Sequence, residues 1–310
     1  MAQATLSRPQ DAAPHPVAVT TPPKRIDLLG IVGKILFWVL IVAILLYTLF
    51  PFYWAIVSSL KPNNEIFATP ATYWPKKIDW SHYQFVLQNG EFLKALRNSV
   101  IVSLGTTLLA LIFGASGAYA LGRLRFRGRT VALYTILAMT MFPAVAILGS
   151  LFLMIRGDWF LHTPNLFNTK TALVITYLTF SLPFTVWVLT NFFKAMPGEL
   201  EEAALVDGAT NFRAFWEILL PLAMPGLVTT GLLAFIGAWN EYLFALTFTS
   251  DYKAKTVQVA IAQFAGNTQY ELPFANRMAA SVIVTIPLIV LVLVFQRKIL
   301  AGLTSGAVKG

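Results

Sequence analysis

Six long apolar blocks alternate with polar stretches along the chain, at roughly 35–58, 98–121, 131–155, 172–193, 223–249 and 278–300. A helix needs about 20 residues to cross a hydrocarbon core of about 30 Å, and each block is long enough. Backbone in lipid must satisfy its hydrogen bonds internally, so each block is predicted to be helical. The pattern therefore predicts an all-α, polytopic membrane protein with six transmembrane helices. An even number of spans puts both termini on one side, together with 122–130 and 194–222. The stretches 59–97, 156–171 and 250–277 fall on the other. Residues 1–30 hold Pro9, Pro14, Pro16, Pro22 and Pro23 and no apolar core before Leu28. They read as a disordered lead-in to a permanent first span, not as a removable signal. Residues 31–310 then form one six-span membrane domain.

Composition agrees with the pattern. Of 310 residues, 57% are apolar and 12% charged, against about a quarter charged in soluble domains. This sets aside a division of the length into two soluble domains. The formal charge is +9, and its placement is more telling than its size. Arg123, Arg125, Arg127 and Arg129 sit in one short loop. Short cytoplasmic loops collect Lys and Arg, so this loop and both termini are placed in the cytoplasm. A nucleic-acid patch is the rival reading of these arginines. Only Phe126 interleaves them and two spans pin the segment, so no nucleic-acid partner is expected.

Several chemistries are excluded. Cysteine is absent, which removes disulfides, thiol nucleophiles and thiolate metal sites. His15, His82 and His162 are far apart in sequence, so no metal site is expected. No G-x-x-x-x-G-K-[ST] phosphate loop occurs, so the chain does not itself hydrolyse ATP. A membrane enzyme would need paired intramembrane carboxylates or a His cluster, and the sequence offers neither.

Inside the spans, Ala110, Gly114, Ala118 and Gly122 recur at four-residue spacing, with Gly117 beside them. Such a stripe lets a second helix approach closely. Pro51, Pro143, Pro183 and Pro287 are expected to kink their helices. At Pro143 and Pro183, beside Phe142 and Phe184, a bend around a transport path is an equal reading. Glu241 is the only acid within a span, and an intramembrane charge marks a functional site by default. It is expected about 25 Å along the fifth helix, near the outer mouth. There it can also reach water in a purely structural role, and Trp239 and Tyr242 can equally serve as interfacial anchors. Amides, carboxylates and rings suit a sugar, so Phe142, Tyr177, Trp239, Asn240, Glu241 and Tyr242 are the substrate-path candidates.

The cytoplasmic stretch 194–222 breaks the charge rule. It holds Glu199, Glu201, Glu202, Asp207 and Glu217 against Lys194 and Arg213. It reads as helix, turn, helix. Pro197 suits a first helical position, and the glutamates fall in the first turns, where the helix dipole favours anions. Leu200, Ala203 and Ala204 make a small apolar face. Gly208 fits a left-handed C-cap, and Thr210 or Asn211 can cap the next helix. A compact helix projecting from a membrane bundle is shaped to enter a groove of another protein.

Glu202-Ala203-Ala204, three residues, Gly208, nine residues, then Ile218-Leu219-Leu220-Pro221 carry a resemblance. This run is similar to the EAA signature of permease subunits in bacterial ABC importers. The tail from Ala301 to Gly310 and the run Trp239 to Ala245 resemble maltose-type sugar permeases, and the tail with Gln263-Phe264 resembles the trehalose and maltose permeases. The resemblance implies the type I ABC importer permease fold and a coupling role for Glu201, Glu202, Ala203, Ala204, Asp207, Gly208, Ile218, Leu220 and Pro221. Glu202 would anchor the helix, Gly208 allow its turn, and Ala203 and Ala204 keep it slim. The tail 301–310, ending in Lys309 and Gly310, would touch the ATPase, and outer residues Gly266 to Pro273 the binding protein. The implied partners are a second permease chain, which the small number of spans also suggests, two ATP-binding cassette subunits, an extracytoplasmic sugar-binding protein and membrane lipid. No cofactor sits on this chain, and ATP and Mg belong to the ATPase subunits. The implied cargo is a disaccharide, trehalose or maltose. A permease for a polyol or glycerol phosphate stands as the alternative, since the coupling loop does not read cargo. An ion-driven secondary transporter is a further alternative, although no inverted repeat is visible.

Overall fold

A computed structural model describes residues 28–158, 164–264 and 273–304. Three expectations lie outside these residues: the lead-in before Leu28, the tail end with Lys309 and Gly310, and most of the outer run Gly266 to Pro273. All regular structure among the described residues is helical. Contacts divide the chain into two units, Met1–Pro51 and Phe52–Gly310. The boundary falls inside α1 (Leu28–Ser59), which contains Pro51 and starts within the expected lead-in.

In the second unit, α2 (Asn63–Ile66) and α3 (Ser81–Gln88) precede the long α4 (Gly90–Gly122). Asn89 starts α4 by accepting from the backbone N–H groups of Glu91 and Phe92. There follow α5 (Arg129–Thr140), α6 (Ala144–Arg156), α7 (Lys170–Ala195), α8 (Glu199–Val206) and α9 (Asn211–Ala214). A π-helical turn, Phe215–Leu219, leads into α10 (Leu220–Leu222) and α11 (Met224–Asn240). The last helices are α12 (Leu243–Phe248), α13 (Val257–Ala262) and α14 (Phe274–Thr304).

Among the described residues four single helices are long and apolar enough to cross a membrane, and up to six spans result if each of two bent pairs counts as one. The third predicted span, 131–155, is one of these pairs, α5 and α6 meeting at 97°. Pro143 explains the break, because it cannot donate to the preceding turn. The fifth also differs from expectation. Its helix α11 ends at Asn240, and α12 is separate from it. At its N-terminal end, the segment Asn211–Leu222 joins α11 at 76°.

The small-residue stripe of α4 packs on α7. A Cβ on Gly114 would lie 2.5 Å from Thr185 Cγ2, and one on Gly122 would lie 3.0 Å from Phe193 Cβ. Contacts pair Gly105 with Val174, Gly114 with Thr185, Gly117 with Val186 and Gly122 with Phe193. The numbers rise together, so α4 and α7 run parallel, as a second and a fourth span must. On the opposite end, Asn98 donates to the carbonyls of Tyr252 and Lys255, and Ser99 accepts from Val257 N–H at 2.8 Å. Asn168 accepts from Ser250 and Asp251 N–H, and the Asn168 amide beside Asp251 holds that carboxyl below its ordinary value.

Candidate coupling site

The stretch after α7 does form helix, turn, helix, with shifted boundaries. Gly198 is the N-cap of α8, so Pro197 stands just ahead of the helix instead of inside it. The turn behind α8 is a Schellman motif: Ala209 N–H donates to Ala204 O at 2.9 Å and Gly208 N–H to Leu205 O at 3.1 Å. Gly208 has φ +85°, the left-handed conformation that side chains resist. Thr210, not Asn211, caps α9, accepting from Arg213 N–H at 3.3 Å. The π turn that follows has Leu220 N–H donating to Phe215 O. Phe215 and Leu219 are buried among Ala115, Ala118, Leu189, Phe193 and Leu227, which holds the second arm to the bundle.

The first arm is held by polar contacts. Glu201 accepts from the Tyr119 hydroxyl at 2.8 Å and from Arg123 Nε at 3.0 Å. Arg123 also donates from Nη1 to Met196 O at 3.0 Å and from Nη2 to Pro197 O at 2.9 Å. The paired side chains are only 11% and 17% exposed. Glu202, to which the resemblance gave the anchoring, is exposed, its carboxylate making no hydrogen bond or ion pair among the described residues; Glu201 anchors α8 within the chain. Ala204 is buried beneath the helix. Glu202, Ala203, Leu205, Val206, Asp207 and Gly208 face outward, and Val206 is 86% exposed. Ile218 and Leu220 are half-buried and Pro221 is exposed. One side of the loop is thus fastened to its own bundle while the other is bare.

Tyr119 and Arg123 were missed in the sequence. The arginine cluster was read only for membrane orientation. The available signal was the acid excess of 194–222 against the basic excess of 122–130.

Of the substrate-path candidates, Tyr177 and Glu241 come together, and Phe142 and Trp239 lie apart from them. Tyr177 is fully buried, and its hydroxyl lies beside the Glu241 carboxylate without a hydrogen-bond partner among the described residues. Trp239 is 1% exposed and stacks on Phe235 at 5.6 Å in a different cluster, with Val257 and Phe264. Phe142 stands exposed at the α5–α6 bend, and Asn240 and Tyr242 are exposed where α11 ends. The two oxygens of Glu241 accept from the N–H groups of Phe244 at 2.8 Å and Ala245 at 3.0 Å. Glu241 therefore caps α12, satisfying donors that have no helical partner. Glu241→Ala is expected to cost about 1 kcal/mol of stability, as other lost caps do. A lowered melting temperature in detergent checks this, with Glu241→Gln, whose amide has one acceptor oxygen, intermediate and Asn240→Ala unchanged. Equal melting of Glu241→Ala and the parent would refute it.

Residues 107–304 match the family described as binding-protein-dependent transport system inner membrane component. The chain is 42% identical over 264 residues to the trehalose transport system permease protein SugB of Mycobacterium tuberculosis, covering 85% of this chain and 93% of that one. It is 39% identical to the trehalose/maltose transport system permease protein MalG of Thermococcus litoralis, covering 84% and 92%. Its fold superposes with a TM-score of 0.73, at 26% identity, on a chain from a bacterial ABC transporter that imports the acidic polysaccharide alginate, covering 90% and 99%. The chain belongs to the binding-protein-dependent inner-membrane permeases, the non-catalytic, multi-pass transport subunits of ABC carbohydrate importers.

Proposed function

We propose that this chain forms half of a disaccharide pathway, trehalose or maltose being the cargo, and that its loop 199–221 couples transport to two ATP-binding cassette subunits. A second permease chain completes the pathway, and an extracytoplasmic binding protein delivers the sugar. Both termini and the arginine-rich loop lie in the cytoplasm. The carrying observation is the two-sided character of the loop. Ala204, Phe215, Leu219 and Glu201 hold it to the bundle, while Glu202, Ala203, Asp207 and Gly208 are left bare for a groove in another protein. The names of two relatives support the cargo. ATP and Mg are bound by the partner subunits.

The test is purification of the tagged chain from its host, followed by reconstitution with the binding protein. Two ATPase subunits and a second permease are expected to accompany it, and trehalose or maltose to stimulate ATP hydrolysis. Stimulation by a polyol or glycerol phosphate alone would overturn the cargo. Transport by the purified chain without an ATPase would overturn the coupling role.

A further inference from the structure

The coupling loop is joined by chain to α7 and α11, yet its polar fastenings run to α4. Tyr119 and Arg123, at the end of α4, reach Glu201, Met196 and Pro197 through four of the hydrogen bonds above. Tyr119 also approaches the Asn211 carbonyl at 3.4 Å, on the far side of the Gly208 turn. We propose that Arg123, with Tyr119, is the positioning residue that delivers the movement of α8 to α4, a helix with no direct chain connection to the loop. The inference rests on loop 199–221 being the ATPase-docking element.

Three observations carry it. First, the guanidinium uses all three nitrogens, one on a carboxylate and two on successive carbonyls at the loop entrance. A planar fork held at three points fixes orientation as well as distance. Second, the pair is shielded, whereas the other ion pair of the loop, Arg213–Glu217, is 64% and 59% exposed. Removing one member of a shielded pair leaves the other charge uncompensated. Third, α4 is stiff behind the clasp. Arg129 donates from Nη2 to Gly122 O at 2.8 Å, tying the last turn. The α4–α7 contact has no room for a side chain at Gly114. The covalent routes are softer: Met196 and Pro197 are non-helical, and the route to α11 passes a π turn and a 76° bend. A displacement of α8 therefore moves α4 and α7 as one body.

The experiment uses the complete reconstituted importer and reads ATP hydrolysed per sugar imported. Arg123→Glu is expected to raise that ratio about two- to thirtyfold, the range of coupling changes seen for residues that touch neither ligand. The exchange Arg123→Glu with Glu201→Arg brings the ratio back. Arg127→Glu, an equal change of charge at an exposed position of the same loop, leaves it at the parent value. A parent-like ratio in Arg123→Glu, or no recovery in the exchanged pair, overturns the proposal. Assembly of Arg123→Glu is checked by co-purification. If it fails to assemble, the same question is put with Arg123→Cys and Glu201→Cys, which create the only thiols of this chain. Joined by a short bis-maleimide linker in the assembled importer, they retain transport if α8 and α4 move together. Loss of transport on linking overturns the proposal. An unaltered chain that brings no ATPase overturns the coupling role itself, a result distinct from either outcome for the clasp.

Discussion

Gly208→Val is expected to leave the chain in the membrane and to abolish most sugar transport while ATP hydrolysis continues. The reason is conformational, because nothing lies within 4 Å of the Cβ that the substitution adds. At φ +85° an ordinary side chain costs about 1–2 kcal/mol, and a β-branched one more, since its rotamers are also restricted. That is comparable to the two hydrogen bonds closing the turn, each contributing about 1 kcal/mol. The loop then relaxes to another backbone, and the exposed face of α8 is re-aimed. The bundle, held by Phe215 and Leu219, is untouched. Asn tolerates the left-handed region, so Gly208→Asn should keep most of the transport. The ratio of ATP hydrolysed to sugar imported, measured for both variants in proteoliposomes, checks the prediction. Normal transport by Gly208→Val would sink it.

Gly114→Leu should fail at an earlier stage, in assembly of the bundle. Its Cβ alone would sit 2.5 Å from Thr185 Cγ2 and 3.1 Å from Thr185 Cβ, well inside contact distance. Even Gly114→Ala forces α4 and α7 apart, and overpacking of this kind costs about 1–3 kcal/mol. The remainder of a leucine finds Leu182 beside it. Thr185 offers a clean rescue, because its hydroxyl only bonds back to Ser181 O in its own helix. Gly114→Ala with Thr185→Ala should melt nearer the parent than Gly114→Ala alone. Gly149→Ala, with nothing within 4 Å of its Cβ, should be neutral. The yield of monodisperse protein in detergent and its melting temperature provide the readout. Parent-like values for Gly114→Leu would show that the two helices can separate freely.

The stripe from Ala110 to Gly122 and the loop around Gly208 were legible in the sequence because both are local patterns: one repeat of helical spacing, and one turn that needs a glycine. The four unbroken spans were legible for the same reason. The break at Glu241 was not, because a carboxylate that caps a helix looks in sequence like any intramembrane acid. Only the position of the Phe244 and Ala245 N–H groups distinguishes the two. The α5–α6 bend was half legible. Pro143 signalled a kink, but the size of the angle depends on what the two arms pack against. Arg123 and Glu201 are 78 residues apart, and nothing local in either segment marks them as partners.

The bend at Met141–Pro143 has a consequence for the environment of the protein. Its arms have 12 and 13 residues, about 18 and 20 Å at 1.5 Å per residue. Neither crosses a hydrocarbon layer of about 30 Å alone, so if the pair is one crossing its corner lies within the layer. A corner interrupts the ladder of backbone bonds, and Pro143 contributes no donor to repair it. Oil cannot solvate what is left over; irregular backbone at that depth persists only against protein or beside water. In such a crossing Met141 and Phe142, 80% and 62% exposed in the lone subunit, mark a flank that lipid alone does not insulate, one that is either wetted or roofed by a neighbour whenever the importer is at work.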